Sequence, residues 1–284
     1  MFVTDPKQRF KVLITVKTHP IPSKKYDELV CTAGVTESGD FIRLYPINFR
    51  DLPFTQQYRK YQWIELLAEK HQGRDVRKES FRPICDSIKI LGEPIPSNPG
   101  NWAERAKYAL AKKSRSMEHL YDQQEFDRTS LGIFKPKKMH DLVISPDDPN
   151  WDPRFLQALR QHRFFEYRQK TLVPPRKVPF KFHYQFECDD PRCKRNHQMM
   201  IEDWEVGALF WKLVGKGAAQ KEASEEVRRK FLNELCAADK DTHFYVGTIL
   251  AHPKTWVILG VFYPKIRMHG RRPIAGPTLF NGLS

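Results

Sequence analysis

Glu28-Leu-Val-Cys-Thr-Ala-Gly-Val35, then Thr36-Glu-Ser-Gly-Asp40, then Phe41-Ile-Arg-Leu-Tyr-Pro-Ile47 is the stretch that decides the fold. The two outer runs are rich in β-branched and aromatic residues, which suit a pleated, half-buried surface. The middle run has turn chemistry, with Gly39 able to supply a positive φ. The pattern predicts strand, tight turn, strand. Working outward, Phe10–Val16 reads as a preceding strand and Tyr61–Leu67 as a following one, with the proline-containing connector His19–Lys25 between the first two. Short strands joined by tight turns predict a small barrel or curled sheet.

The chain has 284 residues, enough for two compact domains or one large β-rich one. It reads as α+β. An OB-like or related small β-barrel is expected over residues 1–100 and a basic helical and strand connector over 101–170. A second β-rich domain, carrying helices and a Cys/His metal-like cluster, is expected over 171–284. In the connector, Trp102, Ala106, Leu110 and Met117 recur at helical spacing, followed by more helix near Glu118–Phe126, strand over 131–144 and a short helix over Arg154–Arg168. Residues 171–177 read as a linker and the tail after Lys265 as loose. Asp203–Val214 and the run from Ser224 read as helices, and Phe244–Leu250 with Thr255–Tyr263 as a hairpin.

Cys31-Thr-Ala-Gly-Val-Thr, a short glycine turn and Phe41-Ile-Arg-Leu together resemble the N-terminal pattern of dual OB-domain-like proteins. There a Cys-x-Ala-Gly strand precedes a Gly-aromatic-Ile-Arg strand. Here Arg43 is followed by Leu44-Tyr45-Pro46, so the proline falls later than in that pattern. The resemblance implies an OB-like barrel with a role in nucleic-acid binding.

The net charge of +14 fits a polyanionic partner. DNA or RNA is the expected ligand, because neutralising phosphates with Lys and Arg releases counterions. Residues 41–63 interleave aromatics with cations. On a strand Phe41, Arg43 and Tyr45 share one face and Ile42 and Leu44 the other, so the first row is expected to face solvent. Arg50, Arg59 and Lys60 extend this surface, and Lys107, Lys112, Lys113 and Arg115 supply further phosphate contacts. No apolar stretch is long enough to span a membrane, and the N-terminus does not read as a signal peptide. No membrane partner and a cytoplasmic location are therefore expected.

The five cysteines are odd in number, which argues against a disulfide framework and for thiols or metal ligands. His183-x4-Cys188-x4-Cys193-x3-His197 presents the two ligand types that zinc prefers. Cys188, Cys193 and His197 overlap the end of a small RNA-binding zinc finger, but the upstream cysteine is absent. A structural zinc site needs a fourth ligand from His183, Asp203, Cys236 or His243, with His183 the expected choice. A catalytic site would hold water there and need an acid among Glu187, Glu202, Asp203 and Glu205.

Other chemistry has little support. Asp51, Glu65 and Glu69-Lys70 only loosely echo a nuclease arrangement. No P-loop, no dinucleotide-binding glycine motif opening a helix and no nucleophile elbow is present. The expected function is nucleic-acid binding through a basic, aromatic-interleaved surface with a structural zinc site. Two alternatives stay open. One is a metal-dependent enzyme acting on nucleic acid or a nucleotide, nuclease-like or a related hydrolase. The other is an interaction module among the proteins of a larger nucleoprotein complex.

Overall fold

The computed structural model describes residues 7–23, 27–71, 75–97, 102–154, 156–157, 175–194 and 196–266. Most of the helix expected over 154–168, most of the 171–177 linker and the tail beyond 266 lie outside them.

The N-terminal half comprises β1 (Gln8–Lys17), β2 (Ile21–Ser23), β3 (Asp27–Thr36), β4 (Phe41–Ile47), β5 (Trp63–Lys70), β6 (Ser80–Pro83) and β7 (Lys89–Leu91). β1 pairs with β3, β3 with β4, β4 with β6, β6 with β5, and β5 back to β1. The result is a closed five-strand barrel. Only the β4–β6 pair in this ring is parallel. The arrangement is compatible with an OB-like fold, and closure removes the exposed sheet edges that invite mispairing.

The residues explain the closure. On β5, Ile64, Leu66 and Ala68 are buried while Trp63, Glu65 and Leu67 are partly exposed, the two-residue period of a strand with one face in a core. Those inward residues meet Val12, Ile14, Ile42 and Leu44 in the barrel core. Gly39 turns the chain between β3 and β4 at φ +79°, as its place in the turn predicts. Gly34 lets β3 approach β1: a Cβ there would lie 2.3 Å from the Leu13 carbonyl oxygen.

β1 shows no alternation, since Val12 through Val16 are all buried. The reason is a second layer. Leu13 and Val16 point away from the barrel core and pack with Leu131, Ile133, Tyr245, Val257 and Leu259 of the C-terminal half. A strand covered on both faces reads as a continuous apolar run.

Helices α1 (Trp102–Ala109) and α2 (Met117–Asp127) follow the barrel. Then come β8 (Leu131–Phe134), β9 (Lys138–Pro146), β10 (Phe180–Glu187), β11 (His197–Met200), α3 (Trp204–Gly215), α4 (Gln220–Arg228), β12 (His243–Ile249) and β13 (His252–Phe262). The helix expected from Trp102 onward and the further helix near Glu118–Phe126 are separated between α1 and α2, where Ser114 donates its amide to the Ile133 carbonyl and Ser116 caps α2. β8, β12 and β13 form one three-stranded antiparallel sheet, and β9, β10 and β11 another. Phe134, Tyr184, Phe186 and Phe244 from these sheets share a core with Phe210 of α3 and Val227 of α4.

Polar ties cross the seam between the halves. The Arg43 guanidinium donates to the Ser130 hydroxyl at 2.7 Å and its carbonyl at 2.9 Å. The Ser130 hydroxyl in turn donates to Glu79 at 2.7 Å. Arg77 is paired with Asp75 and donates to the Thr248 carbonyl at 3.0 Å. Lys60 meets Asp203, the N-cap of α3, at 2.8 Å.

Candidate metal centre and nucleic-acid interface

The two-residue period of β10 points Phe182, Tyr184 and Phe186 into the core. The chain leaves the strand after Glu187, buries Cys188, turns through Asp189-Asp190-Pro191-Arg192 and returns with Cys193. The Cys193 amide donates to the Asp190 carbonyl at 3.0 Å, which closes the turn. His197 opens β11 directly opposite Phe186, with the two rings stacked at 5.1 Å. The hairpin thus delivers two sulfurs and an imidazole to one end of the sheet.

The fourth donor comes from α2. Ser116 caps this helix by accepting from the His119 amide at 3.0 Å, and donates its own hydroxyl to Asp190 at 2.9 Å. The Met117 amide donates to the Cys188 sulfur at 3.4 Å, and the Cys188 amide to the Cys193 sulfur at 3.2 Å. Glu118 Oε1 lies 2.8 Å from His197 Nε2, while its Oε2 is buried without a partner. One donor atom from each of Glu118, Cys188, Cys193 and His197 lies within 4.8 Å of the others. A tetrahedron with bonds of roughly 2.0–2.3 Å has edges of about 3.3–3.8 Å, so the group could hold a metal ion once its donors adjust to those separations. Burial pushes the Cys188 thiol well above its usual range, a cost that a bound cation reverses by stabilising thiolate.

His183, the expected fourth ligand, is not in this group. It sits an odd number of residues from Tyr184 and Phe186 and therefore on the other face of β10, opposite Met200. The other named alternatives are also engaged elsewhere. Asp203 binds Lys60, the Cys236 sulfur contacts the Phe231 carbonyl at 3.4 Å, and His243 Nδ1 lies 3.0 Å from the Asp241 carbonyl. Glu118 lies 79 residues before His197, and no local spacing announces it.

Beside the centre, a groove of about 530 Å³ runs between the barrel and the C-terminal half. The barrel side contributes Phe41, Lys78 and Phe81, and the far wall Lys112, Lys113, His119 and Gln123. Lys112 is paired with Asp40 and Lys78 with Asp127, all four partly exposed. The Lys112 bond is the main cause holding the Asp40 carboxyl below its usual range. Exposed pairs of this kind contribute little to stability, so their lysines can exchange a carboxylate for another anion at small cost. Phe81 packs edge-on against Phe10 at 4.7 Å, which fixes its ring.

Of the residues expected to bind nucleic acid, Phe41, Lys112 and Lys113 line this groove, and exposed Arg115 follows its Ser114 in sequence. Arg43 does not face solvent: it is 1% exposed, because the C-terminal half covers the outer face of β4. Lys60 is taken up by Asp203 and Glu205 at the seam. Tyr45 is half-buried, with its carbonyl held by His71 at 2.7 Å, and Arg50 is half-buried in the turn after β4. Arg59 is exposed and paired with Glu93 at 2.7 Å, and Lys107 lies on α1 over the Tyr108 ring. Lys78, Phe81 and His119 also line the groove, and no local sequence pattern marks them. Among the nuclease-like acids, Glu65 binds Arg9 at 2.6 Å and Asp51 accepts from Asn48 at 2.6 Å.

Fold and site together define a class: a closed five-strand barrel joined to an α+β half that carries a four-donor group able to hold a metal. The chain belongs to the family described as a domain of unknown function, DUF8757, whose model matches residues 113–280. A second family, also described as a domain of unknown function, DUF8758, matches residues 8–111. No curated protein matches the chain. Among the described residues, no helix is long and apolar enough to cross a membrane.

Proposed function

We propose that the protein binds DNA or RNA in the groove between its two halves, and that the Glu118–Cys188–Cys193–His197 group holds a structural zinc ion. The observation that carries the reading is the groove itself. Lys78, Lys112 and Lys113 converge there beside the rings of Phe41 and Phe81, in a protein of net charge +14. Cations that track a phosphate backbone beside aromatic platforms are what nucleic-acid grooves use. The barrel's compatibility with an OB-like fold and the resemblance to dual OB-domain-like proteins support the same role.

Two thiolates, an imidazole and a carboxylate make a donor set that zinc favours. Four donors from the protein would fill a tetrahedral site, which supports a structural rather than a catalytic centre. The ion would tie the β10–β11 hairpin to α2.

The test is fluorescence anisotropy of labelled DNA and RNA oligonucleotides across a salt series, alongside metal analysis of the purified chain. Affinity falling steeply with salt is expected, with a shallower slope in the Lys112→Ala/Lys113→Ala variant. Binding that is unchanged in that variant would place the nucleic acid elsewhere. One zinc ion per chain, absent in Cys193→Ser, is expected at the centre.

A further inference from the structure

The two sites share a helix. On α2, residues 118 and 122 lie on one face, a turn apart, while 119, 120 and 123 lie on the next. Glu118 points at the Cys/His group, and Asp122 takes both arms of Arg192 from the Cys188–Cys193 turn at 3.0 Å. His119, Leu120 and Gln123 line the groove. Ser114, also in the groove wall, contacts His119 Nδ1 at 2.8 Å. The Ser116 hydroxyl ties the start of the same helix to Asp190. Met117 and Glu118 in the first turn of α2 therefore touch the metal group, and His119 and Leu120 line the groove.

Resting on the function proposed above, we infer that metal occupancy sets the nucleic-acid affinity of the groove by ordering α2, so that the two ligands bind cooperatively. The physical route is short. A cation drawing in the Glu118 carboxylate and the Cys188 sulfur pins the first turn of α2 against the β10–β11 hairpin. Without the cation, buried Glu118 Oε2 has no hydrogen-bond partner, and the first turn of α2 is held by the Glu118–His197, Met117–Cys188 and Ser116–Asp190 contacts. A groove wall that is ordered only part of the time weakens the apparent affinity by that fraction. Linkage then requires reciprocity: nucleic acid must raise metal affinity by the same factor by which metal raises nucleic-acid affinity.

The experiment uses the full chain, zinc, and a fluorescein-labelled single-stranded oligonucleotide at low salt. Oligonucleotide affinity is measured with zinc-loaded and chelator-stripped protein. Zinc affinity is measured against a chromogenic chelator with and without unlabelled oligonucleotide. The expected result is an increase of about tenfold in each direction, equal within error. A factor of one in both directions overturns the linkage while leaving both sites standing. Absence of oligonucleotide binding in both states overturns the linkage together with the groove reading, and absence of zinc binding overturns it together with the metal reading. The three failures are thus distinguishable.

Two further measurements fix the route. Ser116→Ala, which keeps all four donors and the groove lysines, is expected to bind zinc while its coupling factor drops toward one; full coupling in this variant overturns the path through the helix cap. Hydrogen exchange of the stripped chain is expected to speed up at α2 and the Cys188–Cys193 turn only. Loss of protection throughout the barrel would mean global unfolding and would also overturn the path through α2.

Discussion

The seam and the groove lie side by side between the same two halves, and both are built with cations, yet they use them in opposite ways. At the seam Arg43 is fully enclosed and meets Ser130, while the Lys60 side chain is 13% exposed against an Asp203 side chain that is 1% exposed. In the groove the side chains of Lys112 and Asp40 are each about half exposed. Charges taken out of water must be matched locally, because desolvation costs several kcal/mol per ion. Charges left at the surface are held loosely and remain available to an outside anion. The same residue types thus act as a permanent clasp in one place and as an open contact in the other.

Substitutions can break this contrast, and the largest effect is expected at Arg43. Arg43→Ala strands the Ser130 carbonyl and leaves Glu79 without its neighbouring cation in a buried network. A stability loss of about 3–5 kcal/mol is expected from chemical denaturation. A loss below about 1 kcal/mol would mean the seam is wetter than its burial indicates.

The Lys60–Asp203 pair comes next. Asp203→Asn keeps an N-cap oxygen for α3, which isolates the charge from the cap. A double-mutant cycle with Lys60→Met should give a coupling energy of about 1–3 kcal/mol. Near-zero coupling would put this pair in the same class as those of the groove.

Glu202, whose carbonyl accepts from the His19 amide, carries a pH signature of its own. Burial is the largest cause raising its carboxyl, to about 7, and Lys181 opposes it. A carboxyl raised in the folded state contributes stability below its unfolded value near 4, and that contribution is lost as pH rises through about 7. Glu202→Gln should therefore gain about 1–3 kcal/mol at pH 8 relative to the parent, with the difference fading by pH 4. A gain that is equal at both pH values would assign the effect to packing rather than charge.

The smallest stability effect is expected in the groove. Lys112→Ala with Lys113→Ala should change stability by less than about 0.5 kcal/mol while reducing the salt slope of oligonucleotide binding by about 1–2. A large stability loss here would erase the distinction between clasp and contact.

Much of the fold was legible because local patterns encode it. The alternation in β5, the glycine turn between β3 and β4 and the hairpin of β12 and β13 all follow from near neighbours in the chain. The Cys188, Cys193 and His197 spacing likewise marked a donor cluster, since one hairpin carries all three. Two expectations fail, each for its own reason. Sequence proximity points to His183, although strand parity turns it away from the cysteines. Arg43 reads as solvent-facing because β4 alone shows which side chains share a face and not what lies over that face.

Sequence alone determined four of the five ring strands, β6 (Ser80–Pro83) being the exception, together with the basic character and three of the four donors, because each depends on residues close together in the chain. Tertiary structure decided that Glu118 completes the group, that Arg43 and Lys60 serve the seam, and that Phe41, Lys112 and Lys113 meet Lys78 and Phe81 in one groove. Those pairings join residues far apart in sequence, and only the packing of one half against the other determines which charges are sealed from water and which stay exposed to it.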